Sequence, residues 1–312
     1  MQSKAVADED WRNIVAAIDS IDDEIERFWN GFYAQAKREP DSRADFKLVR
    51  HEIWAQNQAE AQEYLQPWLS VFELGLEWLA NVHVALSDEP LLGPKESEFR
   101  VPWVLIGAAS AFGWSLRQSC LTGFDTPARA LLRTYVETLL LCLVTIFDKE
   151  LAEKYQEADS DSKVVNFWHT HASPRNLHRR IMELERKLGL DAQTIADLTE
   201  WRREEYEVLS QSSHLSYLAA AMTCMPVSAQ GDGVHRYGIL GSASSNSKRT
   251  LGYAAKTTWY FSRLSFDGLF RRDSESTALV ALDKEDSVHR TIVVGAETLN
   301  AMALRHWEQN GR

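Results

Sequence analysis

Cysteine is scarce in this chain. Three residues in 312 (Cys120, Cys142 and Cys224) each stand alone in their neighbourhoods. That excludes a disulfide scaffold and a zinc ribbon and fits a reducing compartment. Basic side chains are in deficit, 34 against 45 acidic, for a formal net charge of -11. A nucleic-acid binder usually carries a basic stripe, so the whole-chain balance speaks against one. Long apolar runs are missing as well. Val101 to Leu116 is uncharged over sixteen residues but holds Ser and Gly, and Thr138 to Phe147 is shorter. Both fall below the roughly 20 residues of a spanning helix. The first residues, MQSKAVADEDWRN, are charged and do not read as a signal peptide. A cytoplasmic location and no membrane partner are therefore expected. GxGxxG, Walker-type, HExxH and CxxC motifs are absent, and no serine has the context of a nucleophile elbow. No cofactor is expected.

What is present is apolar matter in helical order. Hydrophobic residues make up 45% of the chain, enough to bury a large core. Trp11, Ile14, Ile18, Ile21, Ile25, Phe28 and Phe32 recur at alternating steps of three and four. This heptad spacing predicts a long amphipathic helix with a coiled-coil-like seam, ended by Pro40. Asp41 or Ser42 is placed to cap a second long helix reaching to about Leu86. Pro67 should kink or restart that helix near Gln66. The two are expected to pair as an antiparallel hairpin over residues 1–90. Ser87 to Glu98, with two prolines and a glycine, reads as a linker to a second domain over 98–312.

The second domain opens on VPWVLIGAASAFGWSLRQ, whose small residues let another helix approach closely. TGFDTP then ends that helix and starts the next, with Asp125 or Thr126 as N-cap. The helix from Pro127 to about Phe147 is the most apolar and is expected at the centre. Further helices are expected over 148–158, from Ser173-Pro174 to Gly189, from Asp191 to about Met222 and over 247–270. Thr291 to Val294 is read as a possible extended start before a C-terminal helix. The fold class is all-α, a helical bundle with a long N-terminal helical hairpin.

Charge is unevenly spread. Residues 1–100 hold 20 acidic and 10 basic side chains and so carry almost all the net charge. Later, Arg175, Arg179, Arg180, Arg186 and Lys187 outnumber Glu183 and Glu185; this reads as a solvated helix face or a phosphate-facing patch. His169, His171 and His178 invite a metal reading. Two imidazoles two residues apart on a helix diverge, however, and no carboxylate lies beside them in sequence, so an exposed loop is expected.

One polar constellation spans two helices. Arg133 and Glu137 are four apart in ALLRTYVETLL; Ser210 and His214 are four apart in EEYEVLSQSSHLS, with Tyr206 a turn earlier. The plain reading is an intrahelical ion pair and a satisfied histidine. The sharper reading is that charges inside so apolar a helix need polar partners, which the Ser210/His214 face supplies. A buried histidine beside a carboxylate titrates near neutrality and acts as a general base.

LLRTYVE followed by F-D-x(6)-Y, then Y-x(3)-S-x(3)-H, resembles an uncharacterised bacterial group related to the HEPN helical domains, over about residues 99–225. The resemblance implies a helical bundle, often dimeric, found among toxin–antitoxin and phage-defence proteins. Many active members cleave RNA without metal, using an arginine separated by four to six residues from a histidine. Here the matching positions before His214 are Glu207, Val208 and Leu209, and the nearest upstream arginines are Arg203 and Arg202. The nuclease signature is broken.

Two functions follow as expectations. The first is a non-enzymatic interaction protein, in bacterial defence or stress response, that meets a second copy or a protein partner through the N-terminal hairpin. The alternative is a metal-independent ribonuclease or RNA-binding protein. In that case His214, Arg133, Glu137 and Ser210 form the catalytic set, with His214 as general base and Arg133 on phosphate, and Arg203 and Tyr206 bind substrate.

Overall fold

The computed structural model describes residues 21–37, 43–88, 96–213, 241, 244–271, 279–283 and 285–307. It is all-α, as the periodicity predicts. The helices are α1 (21–35), α2 (Arg43–Tyr64), α3 (Trp68–Asp88), α4 (Glu96–Leu121), α5 (Asp125–Phe147), α6 (Lys149–Gln156), α7 (Asp161–Phe167), α8 (Pro174–Lys187), α9 (Ala192–Ser213), α10 (Ser245–Leu269) and α11 (Ser287–His306). A π-helical turn, Trp168–Ala172, continues α7. Two-residue strands β1 (Phe270–Arg271) and β2 (Val280–Ala281) pair in parallel.

The chain forms two compact units that divide between Ala55 and Gln56. The sequence expectation placed the boundary at 90–98, which assigns α3 to the N-terminal hairpin. α3 instead packs against α4, α10 and α11. The reason is its apolar face: Trp68, Phe72, Leu76 and Leu79 are all fully buried in the main core. The break before α3 falls at Pro67, which has no N–H to continue the ladder, and the Gln66–Pro67 bond is cis.

In the first unit, α1 carries the second half of the heptad seam; Trp11, Ile14 and Ile18 lie outside the described residues. On α2 the Arg50 guanidinium sits 5.0 Å from the centre of the Trp54 ring.

In the second unit α5 is central, packed by α4, α6, α8, α9 and α10. Close approach explains the small residues of α4. A Cβ on Gly113 would lie 2.3 Å from Leu76 Cδ2 and 3.1 Å from Tyr135 Cε2. Tyr135 in turn shares a hydrogen bond of 2.5 Å with Thr258 on α10. By length and hydropathy alone α3 and α5 would pass as membrane spans, and both contribute heavily to this core.

Three local expectations are corrected. Phe124 is the N-cap of α5, and Asp125 is already inside the helix. Its side chain accepts hydrogen bonds from Ser244 and Ser247 at the start of α10, so it joins two helices rather than capping one. Thr291 to Val294 are helical, because Asp286 accepts from the backbone of Val288 and His289 and starts α11 ahead of them. The His169–His171 segment is a π-helical turn rather than a loop, closed by a 2.6 Å bond from Ser173 N to Trp168 O. The stretch His235 to Leu240 lies outside the described residues.

Candidate functional site

Helices α5, α8 and α9 build the site. Arg133 and Glu137 share one face of α5, with Arg133 Nε 3.0 Å from Glu137 Oε1. From α9 the Tyr206 hydroxyl donates to the same carboxylate oxygen at 2.7 Å. The Arg133 guanidinium lies 5.3 Å from the centre of the Tyr206 ring, in cation–π range. From α8 His178 meets the Tyr206 ring edge-on, centroids 5.5 Å apart. Arg133, Glu137 and Tyr206 therefore converge, as their spacing in the sequence suggests, and His178 is the imidazole that joins them. His214 lies outside the described residues, as does the side chain of Ser210 on α9. Arg203 pairs with Glu200 on its own helix and is 63% exposed.

The pair is not deeply buried. Arg133 and Glu137 keep 25% and 27% of their side-chain surface in solvent. Burial works against the charge on Arg133, yet the hydrogen bond and charge of Glu137, with help from Tyr206, hold its pKa above the usual value. Burial, then the Glu137 hydrogen bond and charge, raise the Tyr206 hydroxyl, which stays protonated. His178 is lowered by burial and by Arg202, against Glu137 and Glu185. At neutral pH the cluster thus presents a guanidinium, a bridging carboxylate, a phenol and a neutral imidazole. The imidazole of such a set offers a proton acceptor, while the Arg133 charge is met by Glu137.

The buried charges that the sequence reading looked for on α5 lie one layer deeper. Glu185 on α8 and Arg202 on α9 form a two-pronged pair at 2.6 and 3.1 Å. Their side chains are 0% and 3% exposed. Tyr260 of α10 donates to Glu185 at 2.6 Å and accepts from Arg202 at 2.9 Å. The sequence carried a signal for both. Glu185 follows Leu177 and Ile181 at helical spacing, and Arg202 follows Ile195 and Leu198 in the same way.

A third polar cluster ties α5 to α10. Burial pushes the Asp125 carboxyl up, while Ser244, Ser247 and Arg129 favour its charged form. Arg129 also donates to Asn246 at 2.7 Å. The neighbouring Cys120 thiol is raised first by burial and then by Asp125, so it is a poor nucleophile. Among the described residues no three His, Cys, Asp or Glu side chains gather as a metal site. In comparisons with known proteins, no family model, no curated protein and no solved structure matches the chain.

Proposed function

We propose that this chain is a non-enzymatic all-α interaction protein of HEPN-like type that associates with a second copy of itself through α1. One observation carries the reading. Ile21, Ile25, Phe28 and Phe32 form a single stripe on α1 and are 56%, 41%, 62% and 66% exposed. A sustained heptad stripe of large apolar residues favours a facing helix of the same period. The helix also fits itself. A groove of about 370 Å³ lies beside Gly31, between Phe28 and Phe32, and is edged by Glu24, Arg27 and Gln35. A Cβ on Gly31 would meet nothing within 4 Å. Aromatic knobs and a glycine hole on one helix are self-complementary in an antiparallel pair, where each Phe28 meets the facing Gly31.

The test uses the full chain and measures mass by analytical ultracentrifugation. A dimer is expected, with Phe28→Glu and Phe32→Glu each weakening it by about 2 kcal/mol or more, roughly thirtyfold. Both positions are exposed, so far-ultraviolet circular dichroism should not change. A monomer at every concentration, or variants that dimerise as tightly as the parent, sinks the proposal.

A second reading, metal-independent RNA cleavage or binding, is favoured by the meeting of Arg133, Glu137, Tyr206 and His178. On that reading Arg133 holds a phosphate and an imidazole takes the proton of the attacking 2′-hydroxyl. Incubating the chain with RNA separates the two readings. Cleavage lost on Arg133→Ala, and on either His178→Ala or His214→Ala, supports the nuclease and names its base. No cleavage by the unaltered chain leaves the interaction reading.

A further inference from the structure

A cleft of about 280 Å³ opens between α6, α7 and the π-helical turn, away from the Arg133 cluster. It is near the lower end of small-molecule pockets, roughly 300–1,000 Å³. Its lining is Lys154, Glu157, Lys163, Asn166, Phe167 and His171, with Ala158. The donors come from three separate elements. Lys154 stands on α6, Lys163 and Asn166 on α7, and His171 on the π turn.

The π turn is what brings His171 to the cleft. π-helical turns are rare and recur at functional sites, since they trade good hydrogen bonding for a re-aimed side chain. This one is braced. Asn176 of α8 donates to the carbonyls of His169 and Thr170 at 2.9 and 3.0 Å. The Phe167 ring lies against both Tyr155 and His171, centroids 5.4 and 5.3 Å away. Arg180 donates to His171 Nδ1 at 2.9 Å while holding Asp148 at 3.2 Å. An arginine only donates, so Nδ1 accepts and the imidazole proton sits on Nε2. His171 therefore offers a fixed N–H on its other side. Burial, Arg180 and Lys154 lower its pKa, against Asp148 and Glu150, so it is neutral at neutral pH.

Each ammonium group already holds a carboxylate at the surface. Lys154 holds Glu150 at 2.6 Å and Lys163 holds Asp159 at 2.8 Å, both i, i+4 pairs at the surface. Such pairs are easily exchanged for a better anion. Neither Glu150 nor Asp159 lines the cleft; Glu157 is its one carboxylate. Two point charges and an N–H suit a compact dianion. Glu157 and Asn166 suit the hydroxyl groups of whatever carries it.

We infer that this cleft binds a small sugar phosphate, with the phosphate between Lys154, Lys163 and His171 and a sugar hydroxyl on Glu157. Isothermal titration of the full chain with glucose 6-phosphate, and nuclear magnetic resonance of the His171 ring, test it. Glucose 6-phosphate should bind and glucose should not. Lys154→Ala and Lys163→Ala should each weaken binding tenfold or more; both side chains are exposed and leave the fold intact. With ligand bound, His171 should titrate at higher pH, because the dianion outweighs Arg180, Lys154 and Lys163, while Asp148, Glu150 and Glu157 are unchanged. No binding at millimolar ligand, binding indifferent to both lysines, or inorganic phosphate binding as tightly as the sugar phosphate would each overturn it.

Discussion

Replacing Glu185 by alanine should cost about 3–5 kcal/mol of folding stability, because it strands the Arg202 guanidinium inside the protein. Both side chains lie in the core and hold each other at 2.6 and 3.1 Å. Arg202→Ala should cost a similar amount, since it leaves the carboxylate with the Tyr260 hydroxyl alone. The pair itself contributes far less than either loss suggests. Desolvating two charges offsets most of their attraction, so Glu185→Leu combined with Arg202→Met should recover much of the stability. Urea titration of the parent and the three variants compares these losses directly. A fall of under about 1 kcal/mol for each single variant would mean that solvent reaches the pair.

The next largest loss is expected at Trp78. Its indole is buried on α3, meets the Phe261 ring edge-on at 6.1 Å and donates to the Ile292 carbonyl on α11 at 3.1 Å. Gly295 packs over the same ring. Trp78→Ala removes that contact with α11 and opens a cavity, for a cost of about 3–5 kcal/mol. Trp78→Phe keeps most of the apolar area and forfeits the hydrogen bond, a loss of about 1 kcal/mol. The urea midpoint should fall in that order with an unchanged slope. Equal losses for the two would show that the bond, not the packing, anchors α11.

Elements with strong periodicity were legible before any coordinates. The break at Pro67, the small face of α4, the central place of α5 and the Asp191 cap of α9 all follow from local rules. The Arg133–Glu137 pair follows from its i, i+4 spacing, while the Ser210 side chain and His214, expected to meet it, lie outside the described residues. What failed was long-range. By sequence α3 belongs to an N-terminal hairpin because neighbours tend to pair, yet two of its three partners, α10 and α11, lie far along the chain. Asp125 reads as a cap because aspartate is a favoured N-cap residue and Pro127 marks a first turn, and the serines that claim it begin about 120 residues later. In the sequence His178 reads only as a third imidazole beside His169 and His171. The tyrosine it meets is on the next helix, a placement that no spacing along one helix reveals.

The placement of α3 has a consequence for anyone dividing this protein. Segments 1–88 and 96–312 are not two modules but two incomplete halves. The first would carry a naked apolar rod, and the second would have an empty slot where Trp68, Phe72, Leu76 and Leu79 belong. Expressed apart they are a split protein, each half soluble only when the other fills it, and deleting the first to study the second would remove part of the interior along with the surface.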